Sequence, residues 1–115
     1  MQESNIRPWG RYDILLETDE TKVKLITVNP TSKLSYQYHE KRKEQWVVVE
    51  GQLTLILNDA EQVLNPGMTV SIYPGDKHRA WNKTDKPVKF IEVQTGTYFG
   101  EDDIIRLDDD YGRTN

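Results

Sequence analysis

Apolar and polar residues alternate with a period of two along much of the chain, and no long segment carries the helical period. In KVKLITV, Val23, Leu25 and Thr27 share one face, and Lys24, Ile26 and Val28 share the other. In QLTLILN, Leu53, Leu55 and Leu57 alternate with Thr54, Ile56 and Asn58. In PVKFIEVQT, Val88, Phe90, Glu92 and Gln94 fall on one face, opposite Lys89, Ile91 and Val93. The run QWVVVEG is short and β-branched, as a buried strand is. Turn-forming pairs punctuate these runs: Asn29-Pro30, Glu50-Gly51, Asn58-Asp59, Pro66-Gly67, Pro74-Gly75 and Thr84-Asp85. Many short strands with regular turns predict an all-β barrel or sandwich. The only helical expectation is a short turn around Asp102 to Leu107.

The chain has 115 residues, which suits one domain over its whole length, 1–115. Hydrophobic residues are 36% and charged residues 30%, but three Trp, six Tyr and two Phe supply enough apolar area to fill a small barrel. The net charge of −4 argues against nucleic acid as a partner. No apolar run approaches the roughly 20 residues that span a bilayer, and the first ten residues do not resemble a secretion signal. A cytoplasmic protein with no membrane partner is expected. Cysteine is absent, so a metal site must use imidazole, carboxylate or amide groups.

The chain has two histidines, and their settings are informative. Gln37 and His39 have the same strand parity in LSYQYH, and Glu44 opens the next strand. His78 follows the turn Pro74-Gly75-Asp76. If the chain folds back after His39, these four side chains offer one amide oxygen, two imidazoles and one carboxylate. Such a mixed set suits zinc, manganese, iron, cobalt or nickel. Positions left open on the ion would permit catalysis.

These segments resemble the two motifs of the cupin family. In SKLSYQYHEKRKEQWVVVEG, Gln37 stands at the first histidine position, His39 at the second, Glu44 at the acid and Gly51 at the closing glycine, while Thr31 replaces the opening glycine. In GMTVSIYPGDKHRAWN, Gly67, Gly75, His78 and Asn82 match, Tyr73 stands where proline is usual, and Pro74 comes one place late. The flanks RPWGRYDIL, GEDDIIR and YGR narrow the likeness to the C-terminal cupin domain of type II phosphomannose isomerases, over about Arg7 to Arg113. In many bacteria that domain follows a mannose-1-phosphate guanylyltransferase domain, for which this chain has no room. Where the family often carries a histidine-rich run, this chain has Glu40, Lys41 and Arg42, and it has Gln45 where histidine is common.

The resemblance implies a single cupin (jelly-roll, double-stranded β-helix) barrel. It also implies Gln37, His39, Glu44 and His78 as ligands of one divalent metal ion, zinc foremost, and a homodimer. The implied reaction interconverts mannose 6-phosphate and fructose 6-phosphate through an enediol. A dianionic phosphate needs cationic partners. Arg106, in GEDDIIR, ranks first as a substrate contact, followed by Arg7, with Lys41, Arg42, Lys77 and Arg79 as further candidates. The base that moves a proton between C2 and C1 is sought among Glu92, Glu101 and Lys24. Trp9 reads as a packing residue. Two other functions fit the same residues: another cupin enzyme (a dioxygenase or a sugar epimerase or isomerase), and a non-catalytic sugar-phosphate-binding module.

Overall fold

The structure is a computed structural model, and it describes residues 3–109. Eleven strands and one 3-10 turn make up its regular elements: β1 (Glu3–Arg7), β2 (Gly10–Glu17), β3 (Thr21–Val28), β4 (Tyr36–Tyr38), β5 (Arg42–Glu50), β6 (Leu53–Leu57), β7 (Ala60–Leu64), β8 (Thr69–Ile72), β9 (His78–Trp81), β10 (Val88–Gly96), the turn Glu101–Asp103, and β11 (Ile105–Asp108). They form two antiparallel sheets, ordered β1-β2-β3-β10-β5-β8 and β11-β4-β9-β6-β7. This is the all-β architecture expected of a cupin barrel. Among the described residues, no helix is long and apolar enough to cross a membrane.

Local chemistry explains the junctions. Asn58 and Asp59 both have positive φ, 48° and 70°, and join β6 to β7 in a two-residue hairpin. Asn and Asp tolerate that conformation better than most residues. Gly10 opens β2 at φ +151°, where a Cβ would lie 2.0 Å from the Thr27 carbonyl oxygen. Only glycine lets those two strands approach so closely. Asn82 is fully buried and ties three segments: its Nδ2 donates to the carbonyls of Val28 and Lys86, and its Oδ1 accepts from the Thr84 backbone.

The expected helical turn falls earlier and is shorter. It spans Glu101–Asp103, and the apolar pair Ile104 and Ile105 then leads into β11, which pairs with β4. The ladder with β4 offers backbone partners to a segment too short to sustain a helix by itself.

Three strands place the interior. On β5, Arg42, Glu44, Trp46 and Val48 are buried; on β10, Val88, Phe90, Glu92 and Gln94; on β3, Lys24, Ile26 and Val28. Each strand is therefore apolar at one end of its inner face and polar at the other. The register aligns those ends: Gln94 pairs with Glu44, Glu92 with Trp46 and also with Lys24, and Phe90 with Val48 and Ile26. One end of the barrel is a hydrophobic core of Trp46, Phe90, Val28, Val48, Leu53 and Leu55 with their neighbours. Burial of each such side chain contributes about 1.5–3 kcal/mol. The other end holds the buried charges, which need a reason other than stability.

Candidate metal centre and sugar cavity

His39, Glu44 and His78 converge at the polar end, with one ligand atom from each lying within 4.8 Å of the others. His39 Nε2 lies 3.1 Å from Glu44 Oε2, and His78 Nε2 lies 3.8 Å from Glu44 Oε1. All three residues are buried. Gln37 sits directly across the ladder from His78 and lines the same cavity. Three strands and one loop supply the set: β4 carries Gln37, the loop after it His39, β5 Glu44 and β9 His78.

The two imidazoles are held in a metal-ready form. His39 Nδ1 faces the Asp103 carbonyl at 3.3 Å, and His78 Nδ1 faces the Asp76 carbonyl at 2.9 Å. A carbonyl can only accept, so both Nδ1 atoms are the donors, which leaves Nε2 as the atom each neutral ring would offer an ion. Glu44 is oriented in turn: Trp46 Nε1 donates to Oε1 at 2.9 Å, and Arg42 Nε donates to Oε2 at 2.9 Å. The loop that carries His39 is anchored by Asp103, whose carboxylate accepts the backbone N–H groups of Glu40 and Lys41 at 3.2 and 3.0 Å.

The electrostatics agree with a cation site. Burial would raise the Glu44 carboxyl, but its contact with His39, the Arg42 guanidinium and the neighbouring His78 hold it well below its ordinary value. Burial pushes His78 down, toward the neutral ring a metal requires. The donor set therefore fits a divalent ion with nitrogen and oxygen preference. His39, Glu44, His78 and Gln37 would hold it.

The sheet that carries Glu44 adds two more charged residues to the same cavity. Lys24 and Glu92 stand directly across the β3–β10 ladder, both buried, and both line the cavity. Lys24 Nζ lies 4.1 Å from the centroid of the Tyr12 ring. Burial, with the Glu44 charge adding to it, pushes the Glu92 carboxyl up to about 8, while Lys24, Arg42 and Gln94 oppose that rise. Gln94 Nε2 donates to Glu92 Oε2 at 2.5 Å. The cavity holds about 600 Å³ of empty space, its opening to solvent included.

Of the residues expected to contact substrate, Arg7, Arg42 and Arg106 line the cavity. Arg106 is directly opposite Gln37 in the β11–β4 ladder. Arg7 is fixed by Tyr12, whose hydroxyl accepts from Nη2 at 3.1 Å. Lys41, Lys77 and Arg79 are not among the residues that line this cavity. Lys41 is exposed, with Nζ 4.9 Å from the Tyr98 ring centroid. Lys77 pairs with Asp59 at 3.5 Å, beside the β6–β7 hairpin. Arg79 follows His78 in β9, so strand alternation turns it to the other face. There Nε donates to the Leu34 carbonyl at 2.7 Å and Nη2 to the Asp108 carbonyl at 3.0 Å. Glu101 opens the 3-10 turn, and its side chain lies outside the described residues, as do Tyr111, Gly112 and Arg113. Trp9 is buried in the core and also forms part of the cavity wall.

Sequence reasoning missed Trp46, Asp103 and Ser35. Trp46 has the inward parity of Glu44, which was a readable sign. Asp103 stands within GEDDIIR, but only the folded chain brings it beside the His39 loop. Ser35 is 1% exposed and lines the cavity, and its hydroxyl has no hydrogen-bond partner among the described residues.

Comparison with known proteins agrees with this geometry. The family model described as "Mannose-6-phosphate isomerase C-terminal" matches residues 1–109. A xanthan biosynthesis protein, XanB, of Xanthomonas campestris pv. campestris is 44% identical over 108 residues, which are 94% of this chain and 23% of that protein. A mannose-1-phosphate guanylyltransferase of Escherichia coli is 39% identical over 93% of this chain and 23% of its own length. The chain thus spans about a quarter of the length of these curated relatives. Among solved structures, the capsular polysaccharide assembling protein CapF of Staphylococcus aureus superposes with a TM-score of 0.82 at 20% identity, covering 94% of this chain and 33% of that one. KdgF of Halomonas sp. superposes at 0.77 with 16% identity over 89% of each chain. The Cnp3 cupin domain of Schizosaccharomyces pombe superposes at 0.74 with 8% identity, covering 80% of this chain and 68% of that one. These likenesses show the cupin fold.

Proposed function

The chain belongs to the family of mannose-6-phosphate isomerase C-terminal domains, and from that premise we propose that it interconverts mannose 6-phosphate and fructose 6-phosphate. One observation carries the reading. A ligand set for one divalent ion and a buried carboxyl–lysine pair line a single cavity.

An aldose–ketose isomerisation moves one proton from C2 to C1 and one between the two oxygens, with no net oxidation. When bound, the ion, for which we propose zinc, would act as a Lewis acid that stabilises negative charge on those oxygens. The protein supplies the rest. Glu92 is the proposed base: it takes the C2 proton and returns it at C1. A carboxyl held near neutrality by burial suits both halves of that transfer. Lys24, directly across the ladder, keeps a positive charge beside the carboxylate while it is ionised. Arg106 and Arg7, on the cavity wall, are the proposed phosphate contacts. Trp9 and Ile26 present apolar surface that limits water around the enediol.

The test is a coupled assay on metal-loaded protein, given mannose 6-phosphate and followed for fructose 6-phosphate. Turnover that chelator removes and zinc restores is the expected result. No turnover with zinc, manganese, cobalt or nickel would refute the isomerase. Saturable binding of the sugar phosphate without turnover would mark a binding module, and oxygen uptake with another substrate a dioxygenase.

A further inference from the structure

We propose that Arg42 is a displaceable counter-ion of the metal centre, holding the donor atoms that a divalent ion must take and thereby setting the affinity for that ion. The inference rests on the metal-centre part of the function proposed above, and not on the identity of the sugar.

Arg42, His39, Glu44 and His78 are all buried, at 5%, 4%, 1% and 3% exposure. A carboxylate removed from water needs a cation close by. Arg42 supplies one: its Nη2 lies 2.8 Å from Glu44 Oε2, and its Nε donates to the same oxygen at 2.9 Å. Nη2 also lies 3.1 Å from His39 Nε2. Because His39 Nδ1 donates to the Asp103 carbonyl, Nε2 accepts from Arg42. An imidazole nitrogen has one in-plane lone pair. The guanidinium and a metal ion therefore cannot hold His39 Nε2 at once.

The other half of the site is different. His78 Nε2 lies 3.8 Å from Glu44 Oε1, the oxygen that accepts from Trp46 Nε1 rather than from Arg42 Nε. His78 and Glu44 Oε1 would be open to an ion while Arg42 Nη2 holds His39, and His39 would join the set when Nη2 leaves it. The Nε–Oε2 hydrogen bond gives the guanidinium a pivot for that movement, and the cavity that Arg42 lines gives it space. One cation is exchanged for another, so the buried carboxylate is never left uncompensated.

Metal titration against a chromophoric chelator tests this without any sugar. Arg42→Met is expected to bind zinc and cobalt about tenfold or more tightly than the unaltered protein. Its metal-free form is expected to melt earlier, and its gain in Tm on adding zinc to be larger. Arg42→Lys, which keeps the charge but cannot bridge both groups, should fall between the two. Should Arg42→Met not fold without metal, refolding with zinc and measuring ion release to excess chelator replaces the titration, with slower release expected. Metal affinity in Arg42→Met equal to or weaker than that of the unaltered protein, or release as fast or faster, would overturn the proposal and make Arg42 a support for Glu44. Failure of the isomerase assay with this pattern intact would sink only the sugar reading.

Discussion

Replacing Glu92 by glutamine removes a charge that the fold holds at a disadvantage, and the cost can be worked from the structure. Burial raises the folded-state carboxyl from 4.5 to about 8. The unfolded chain ionises near the lower value, so between the two the unfolded state binds fewer protons and stability falls as pH rises. The full interval, at about 1.4 kcal/mol per pH unit, sets a ceiling of about 5 kcal/mol above pH 8 and about 3 kcal/mol at pH 7. Glutamine is nearly isosteric and keeps an oxygen for Gln94 Nε2, so little else changes. Metal-free protein with chelator would be unfolded in urea at several pH values from 4.5 to 9. The variant should match the unaltered protein near pH 4.5 and become progressively more stable than it toward pH 9. Isomerase turnover, if Glu92 is the base, should fall by several orders of magnitude in the same variant. A stability difference that stays flat across that range would refute the claim that the fold holds this carboxyl neutral.

Four further outcomes are expected. His78→Ala should abolish metal binding in equilibrium dialysis together with turnover, while circular dichroism still shows the strand signature; retained activity would show that the ligand set is wrong. Trp46→Phe keeps a ring against Phe90 but removes the hydrogen bond to Glu44 Oε1, and should weaken metal affinity about 10- to 100-fold, as loss of a group that orients a ligand does. Phe90→Leu, which alters packing only, should leave that affinity nearly unchanged. Gly10→Ala places a Cβ 2.0 Å from the Thr27 carbonyl oxygen and should destabilise the protein by about 2 kcal/mol or more in urea unfolding.

The alternation in KVKLITV and PVKFIEVQT determined the strands and which residues share a face, because strand parity is a local property of the backbone. That the face of Lys24, Glu92 and Gln94 is the buried one was decided by the fold. The two histidines and Glu44 were legible as a set because they fall in recognisable motifs. The charged residues were legible only in part, since parity does not say what lies across the barrel. Arg79 and Lys77 look like good anion contacts in the sequence, yet strand alternation and the Asp59 and Asp108 partners take them elsewhere. Arg42 has the correct parity, but its bond to His39 Nε2 depends on how the loop after β4 folds back over β5. The anchor for that loop is Asp103, 64 residues from His39 in sequence and in contact with it in space. Sequence specifies which face of each strand a side chain occupies; register between distant strands decides which groups meet, and the meeting sets their charge.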